Sequence, residues 1–121
     1  MAQKDNKFDL EERTSRFGED VIKLCKVIKQ NNINKPLINQ LVRSSTSIGA
    51  NYMEANGASS KKDFRNKIHI CKKEAQETQH WLRMLSTATP SKKADLRSLW
   101  QEVHELVLIF QKITTSLKNG G

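Results

Sequence analysis

Between Leu37 and Ser60 the chain carries only two charged side chains, Arg43 and Glu54, although its other segments are dense with charge. The stretch LINQLVRSSTSIGANYMEANGASS mixes apolar residues with Ser, Ala, Gly and Asn. Ile38, Leu41, Val42, Ser45, Ile48, Gly49 and Tyr52 fall on one face at helical spacing. Opposite them lie Arg43, Ser47, Ala50, Asn51 and Glu54. A solvated face would normally carry many Lys and Glu residues, whereas this one is small and weakly polar. The pattern describes a helix packed on more than one side. Arg43 and Glu54 lie about three turns apart, too far to meet each other within the helix. Each is therefore available to a neighbouring subunit, where buried polar residues set register and partner choice. The plainer alternative is a sparsely charged solvent face.

Three further amphipathic segments surround this one. The first runs from about Leu10 to Lys29, with Phe17, Val21, Leu24 and Ile28 at steps of four, three and four. Asn34 and Pro36 signal the start of the second helix, over about 36–56, and Gly57 is placed for a left-handed C-terminal residue. Ser60 followed by Asp63 has the form of a capping box, with Asp in place of Glu. It opens a third helix over about 61–87, whose seam of Phe64, Ile68, Cys71, Ala75, Thr78, Leu82 and Leu85 alternates steps of four and three. Thr89, Pro90 and Ser91 mark a turn. The fourth helix spans about 92–118, with Leu96, Leu99, Val103, Leu106, Phe110, Ile113 and Leu117 facing inward. Short connections between long helices favour antiparallel neighbours. The expected fold is all-α, one domain over 1–121, an antiparallel up-down-up-down four-helix bundle. Ile48, Phe64, Leu82 and Phe110 are expected at its centre, almost fully buried.

Composition agrees with that fold and excludes others. The chain has 121 residues, enough for one domain with a core. Its five Gly and two Pro are too few for the turns of an all-β fold, since two of the Gly end the chain. The longest apolar run, Leu106 to Phe110, is far shorter than the roughly 20 residues of a membrane span. The N-terminus MAQKDNKFDLEER has no apolar signal core, so a cytoplasmic protein without membrane partners is expected. Cys25 and Cys71 then read as two free, mostly buried thiols.

The formal net charge is +8, unevenly spread. Residues 21–45 hold Lys23, Lys26, Lys29, Lys35 and Arg43 and no acid. Residues 61–73 hold Lys61, Lys62, Arg65, Lys67, Lys72 and Lys73 against Asp63. Such a field attracts polyanions, nucleic acid first; the alternative is a basic surface that serves only solubility. Lys61, Arg65 and Lys72 recur at steps of four and seven and so form a stripe. Candidate nucleic-acid contacts are Lys61, Lys62, Arg65, Lys72 and Lys73, assisted by Lys23, Lys26 and Lys29 of the first helix.

Nothing points to catalysis. Glu77 and His80 form one Glu-x-x-His step, which di-iron bundles use twice. The second copy is missing, because Gln101 stands three residues before His104. His69 and Cys71 point about 160° apart on a helix and cannot share an ion. Cys71 falls on the core seam, so it is an inert thiol rather than a nucleophile. There is no glycine-rich phosphate loop and no zinc-ligand spacing. Trp81 and Trp100 suit core or interface anchors, and stacking on bases would call for an exposed aromatic cluster. The expectation is a non-enzymatic protein with no metal and no cofactor.

The run QLVRSSTSIGANYMEANGASSKKDF, followed by ICKKEAQETQHWLRML, resembles the signature of the bacterial intervening-sequence proteins of 23S ribosomal RNA, or S23-like proteins. Leu41, Arg43, Ser44, Ser47, Ile48, Ala50, Asn51, Glu54, Lys61 and Phe64 carry the match, and the likeness covers nearly the whole chain. It departs where Ala55 and Asn56 stand between Glu54 and Gly57, at a helix end. The resemblance implies a four-helix protomer, a ring-shaped homopentamer and no reaction. It also implies kinship with the accessory protein of diversity-generating retroelements, a basic pentamer that binds a reverse transcriptase and nucleic acid. Two functions are therefore expected: low-specificity binding of RNA or DNA, or an adaptor that recruits an acidic partner or a reverse transcriptase.

Overall fold

Four helices account for almost all of the computed structural model, which describes residues 6–120 and side chains within 10–117. The expected domain limits, 1 and 121, lie outside the described residues. Helix α1 spans Asn6–Val27, α2 Asn34–Asn56, α3 Lys61–Ala88 and α4 Lys93–Gly120, with one 3-10 turn at Pro90–Lys92. The protein is an all-α four-helix bundle. α2 packs against α1 and α3, and α3 against α4, while α1 meets α4 on a narrower front. α1 and α3 are diagonal to each other, as are α2 and α4; the backbones of the diagonal pairs stay apart, and Tyr52 of α2 meets Phe110 of α4 across the core with ring centroids 6.4 Å apart.

The bounds of α1 differ from the periodicity at both ends: the helix starts at Asn6 rather than about Leu10 and ends short of Lys29. The helix stops at Val27, although Ile28 remains buried just beyond it. The reason is a knot of asparagines in the connection. Asn31 Oδ1 accepts from the N–H groups of Ile33 and Asn34, each at 2.8 Å, and so starts α2. Pro36 then falls in the first turn, where its missing donor is not needed. Asn34, only 1% exposed, accepts from Asn31 N–H and donates from Nδ2 to Lys29 O at 3.1 Å and Thr89 Oγ1 at 3.4 Å. One buried amide thus ties the α1–α2 and α3–α4 connections together.

At the other end, Gly57 is not left-handed: its φ is −96° and ψ 10°. The expected left-handed cap is corrected. α2 closes instead with tightened bonds from Gly57 N–H to Glu54 O and from Ala58 N–H to Ala55 O. Ser60 Oγ accepts from Asp63 N–H at 3.0 Å, the contact a capping box predicts.

The core follows the expected seams. Phe17, Val21, Leu41, Ile48, Ile68, Cys71, Ala75, Leu82, Leu85, Val103, Leu106 and Phe110 are each 2% exposed or less. Phe64 is the exception among the four central residues expected, being only half-buried against the core. It sits in the first turn of α3, at the bundle end. The α1–α2 seam is built from small residues. A Cβ on Gly49 would lie 3.4 Å from Thr14 Oγ1 and 3.5 Å from Ser15 N, and one on Gly18 would lie 3.6 Å from Thr46. Between α2 and α3, the Ser44 and Thr78 hydroxyls meet at 2.8 Å inside the core. Among the described residues no helix is long and apolar enough to cross a membrane.

Candidate nucleic-acid interface

The charges of α3 and α4 are sorted by flank. On α3, Glu74 and Glu77 reach α2 and hold Arg43 at 3.2 and 2.6 Å. Asp63 shares their helical line, eleven residues before Glu74. On α4, Glu102 and Glu105 reach α1 and hold Arg13 at 2.8 and 2.7 Å. Asp95 shares that line, seven residues before Glu102. All the acids of both helices therefore fall on the flanks turned towards α1 or α2.

The flank where α3 and α4 meet carries the cations. Lys72 Nζ donates to Gln111 Oε1 at 2.7 Å, and Gln79 Nε2 lies 3.2 Å from His104 Nδ1. These two contacts fix an antiparallel register that brings Arg83 opposite Trp100. Arg83 falls eleven residues after Lys72, close to three full turns, so the stripe Lys61–Arg65–Lys72 continues to it. From α4 the same groove receives Lys93, Arg97 and Trp100, and together they line a cavity of about 450 Å³. Two buried leucines, Leu82 and Leu96, form its floor. No acid lines it. His104 stacks on Trp100, with ring centroids 4.9 Å apart and planes at 10°.

Of the expected contacts, Lys61, Arg65 and Lys72 lie on this flank. Lys62 and Lys73 lie on the outer ridge of α3 with His69 and His80, and all four are exposed. None of the five cations makes an ion pair among the described residues. Lys67, by contrast, leans towards α2 and binds Glu54 at 2.8 Å, which raises its pKa. The α1 lysines do not extend the stripe. Lys23 and Lys26 are exposed on a helix diagonal to α3, and Lys29 lies past the end of α1 beside a second cavity that Lys92 also lines. Residue-by-residue reading leaves out Arg83, Lys93 and Arg97 and sets Trp100 aside as a core or interface anchor. The eleven-residue step to Arg83 was the available signal.

The expected interface residues are also engaged within the protomer. Arg43 bridges to α3 through Glu77 and Glu74, and these contacts raise its pKa. Glu54 is held by Lys67. Asn51 Nδ2 and Ser47 Oγ bond back to carbonyls one turn earlier, those of Ser47 and Arg43. What remains outward on α2 is an exposed ridge without charge, Asn39, Thr46, Ala50 and Met53.

The remaining chemistry-bearing residues are occupied structurally. Burial pushes the Cys71 thiol up to about 12 and the Cys25 thiol up to about 11. Glu77 is taken by Arg43, and His80 packs edge-on against Trp81 at 4.9 Å. Trp81 Nε1 is buried with no acceptor among the described residues. Among the described residues no three His, Cys, Asp or Glu side chains come together to hold a metal.

Comparison with known proteins agrees with this architecture. The chain is similar to a protein of unknown function from the S23 ribosomal protein family of Bacteroides thetaiotaomicron VPI-5482, whose crystal structure was determined at 1.70 Å. Identity is 30%, the match covers 86% of this chain and 96% of that one, and the TM-score is 0.75. No curated protein sequence matches it. The model of the 23S rRNA-intervening sequence protein family matches residues 6–116. With that match spanning nearly the whole bundle, the chain belongs to the 23S rRNA-intervening sequence protein family.

Proposed function

We propose that this protein is a non-enzymatic, cytoplasmic nucleic-acid-binding protein that contacts RNA or DNA along the α3–α4 flank. One observation carries the reading: every acid of α3 and α4 lies on the flanks towards α1 and α2, leaving Lys61, Arg65, Lys72, Arg83, Lys93 and Arg97 on an acid-free groove. A net charge of +8 adds a long-range field that draws polyanions in. Contacts of this kind are made to phosphates, which position a strand without reading its sequence.

The test is a gel-shift series with RNA and DNA of unrelated sequences. Affinity is expected to fall steeply with salt, with log K against log[salt] sloping by several negative units. Reversing Lys61, Arg65 and Lys72 to Glu together should weaken all sequences equally. No shift at low salt with any RNA or DNA would remove the reading.

The uncharged ridge of α2, with Met53 57% exposed, favours self-association beside this binding role. We propose a homopentamer, following the family resemblance. Light scattering at micromolar concentration should then return about five protomer masses, and a monomer would exclude it. If nucleic acid fails to bind while the oligomer forms, the same ridge and basic groove describe an adaptor for an acidic partner or a reverse transcriptase.

A further inference from the structure

The cavity between the end of α3 and the start of α4 is chemically unlike the rest of the cationic flank. Elsewhere the stripe offers single charges to solvent. Here three cations from two helices, Arg83, Lys93 and Arg97, converge on one concave surface that also holds an indole. Ser86 and Thr87 stand at the same wall, and the Thr87 hydroxyl donates back to Arg83 O at 3.4 Å. The volume of about 450 Å³ lies within the range of roughly 300–1,000 Å³ typical of small-ligand sites.

Two features decide what such a surface takes. The first is charge. The C-terminal end of α3 and the N-terminal end of α4 meet here, and their opposed dipoles largely cancel. The side chains set the potential, and it is positive. An anion therefore fits, and Arg forks suit phosphate best. The second feature is the aromatic ring. Trp100 is half-buried rather than buried, so part of its surface stays in the cavity. His104 stacks on it at 4.9 Å and braces its orientation from one turn further along α4. A braced, partly exposed indole beside a phosphate-sized cluster of cations is the combination that holds single-stranded nucleic acid, one base per ring.

We propose that this cavity takes one nucleotide of a single strand, its phosphate on Arg83, Lys93 and Arg97 and its base against Trp100. The proposal rests on the nucleic-acid reading of the α3–α4 flank and sharpens it. A duplex keeps its bases stacked internally, so it can use the cations but not the indole. The strand would then run from the cavity along the groove past Lys72, Arg65 and Lys61.

The experiment uses the Trp81→Phe variant, which leaves Trp100 as the sole tryptophan of a chain that has two. Short oligo(dT), its duplex with oligo(dA), and dTMP are titrated at matched salt while tryptophan emission is followed. Single-stranded oligo(dT) is expected to quench the emission and to bind more tightly than the duplex. Trp100→Ala in the native background should weaken single-strand binding at least about fivefold, and Trp100→Phe should recover most of it. Arg97→Glu, at an exposed position that does not threaten folding, should weaken the single strand too. Equal binding of strand and duplex, with no quenching and no effect of Trp100→Ala, would overturn the cavity while leaving phosphate binding along α3 intact. Binding of neither would overturn both. Quenching by dTMP as tight as by the strand would assign the cavity to free nucleotides and overturn the strand.

Discussion

The α1–α2 seam and the α3–α4 seam solve the same packing problem in opposite ways. In the first, Gly18, Gly49, Thr14, Ser45 and Thr46 bring two backbones so close that a single added carbon would already be in contact. In the second, Arg83, Trp100, Arg97 and Lys93 are long, and the helices leave a cavity between them. Small residues close a seam because they put few atoms between the helix axes. The α3 and α4 backbones meet over at least as long a front as those of α1 and α2, and long cations leave a cavity only at one end of it, because their charged heads must reach water while their stems pack. The closed seam spends its sequence on stability, and the open one leaves side chains over for a ligand.

The largest expected effect tests that contrast. Gly49→Leu adds a branched side chain where Thr14 Oγ1 and Ser15 N already stand 3.4 and 3.5 Å from the first carbon. It should cost about 1–3 kcal/mol, seen as a lowered midpoint in urea or thermal unfolding. Arg97→Leu places the same side chain on the open seam and should change stability by no more than about 0.5 kcal/mol. Equal losses from the two variants would erase the distinction.

Much of this is legible in the sequence. The α3 seam from Ile68 to Leu85 was plain in the sequence because a heptad records which residues face inward. It does not record where along the bundle a residue sits, and so Phe64 was expected too deep. Gly57 departs from the expected left-handed turn because a glycine after a helix permits that turn without requiring it. The charge-poor face of α2, Arg43, Ser47, Ala50, Asn51 and Glu54, reads in the sequence as an interface between subunits, but half of its explanation lies within the chain. Gly49 faces α1, while Arg43 and Glu54 are bound by α3. Small residues in a sequence announce a close neighbour and do not say which one. The groove was half legible: Lys61, Arg65 and Lys72 lie in one short run, but Arg83, Arg97 and Trp100 meet only through the antiparallel register.

An intermediate effect concerns pH. Both thiols are buried: Cys71 of α3 donates across the α2–α3 seam to Ile48 O, 3.7 Å away, and Cys25 of α1 is 7% exposed. Burial raises their pKa from the ordinary 9.0 to about 12 and about 11. Above pH 9 the unfolded chain releases its thiol protons while the folded chain keeps them. The unfolded state then binds fewer protons, so stability falls as pH rises through that window and is unaffected below it. Unfolding midpoints between pH 8 and 11 should decline on this account, and a Cys25→Ala, Cys71→Ala double variant should decline less steeply. A parallel decline in both proteins would show that the thiols ionise equally well in the fold.

The smallest effect measures how tightly the closed seam is drawn. Gly18 and Gly49 both lie within helices, where glycine costs roughly 0.5–1 kcal/mol relative to alanine through its extra freedom in the unfolded chain. At Gly18 the added carbon would find its nearest neighbours at 3.6 Å, an ordinary contact with Thr46. Gly18→Ala should therefore stabilise the protein by about 0.5–1 kcal/mol, the full helix gain. At Gly49 the nearest atom is Thr14 Oγ1 at 3.4 Å, the lower edge of comfortable contact. That hydroxyl donates to Leu10 O at 2.8 Å and cannot retreat without loosening its own bond. Gly49→Ala should then gain less than Gly18→Ala, with the difference read as a smaller rise in unfolding midpoint. If Gly49→Ala gains as much or more, the helices have slack at Thr14, and the seam owes its closure to the apolar core rather than to its glycines.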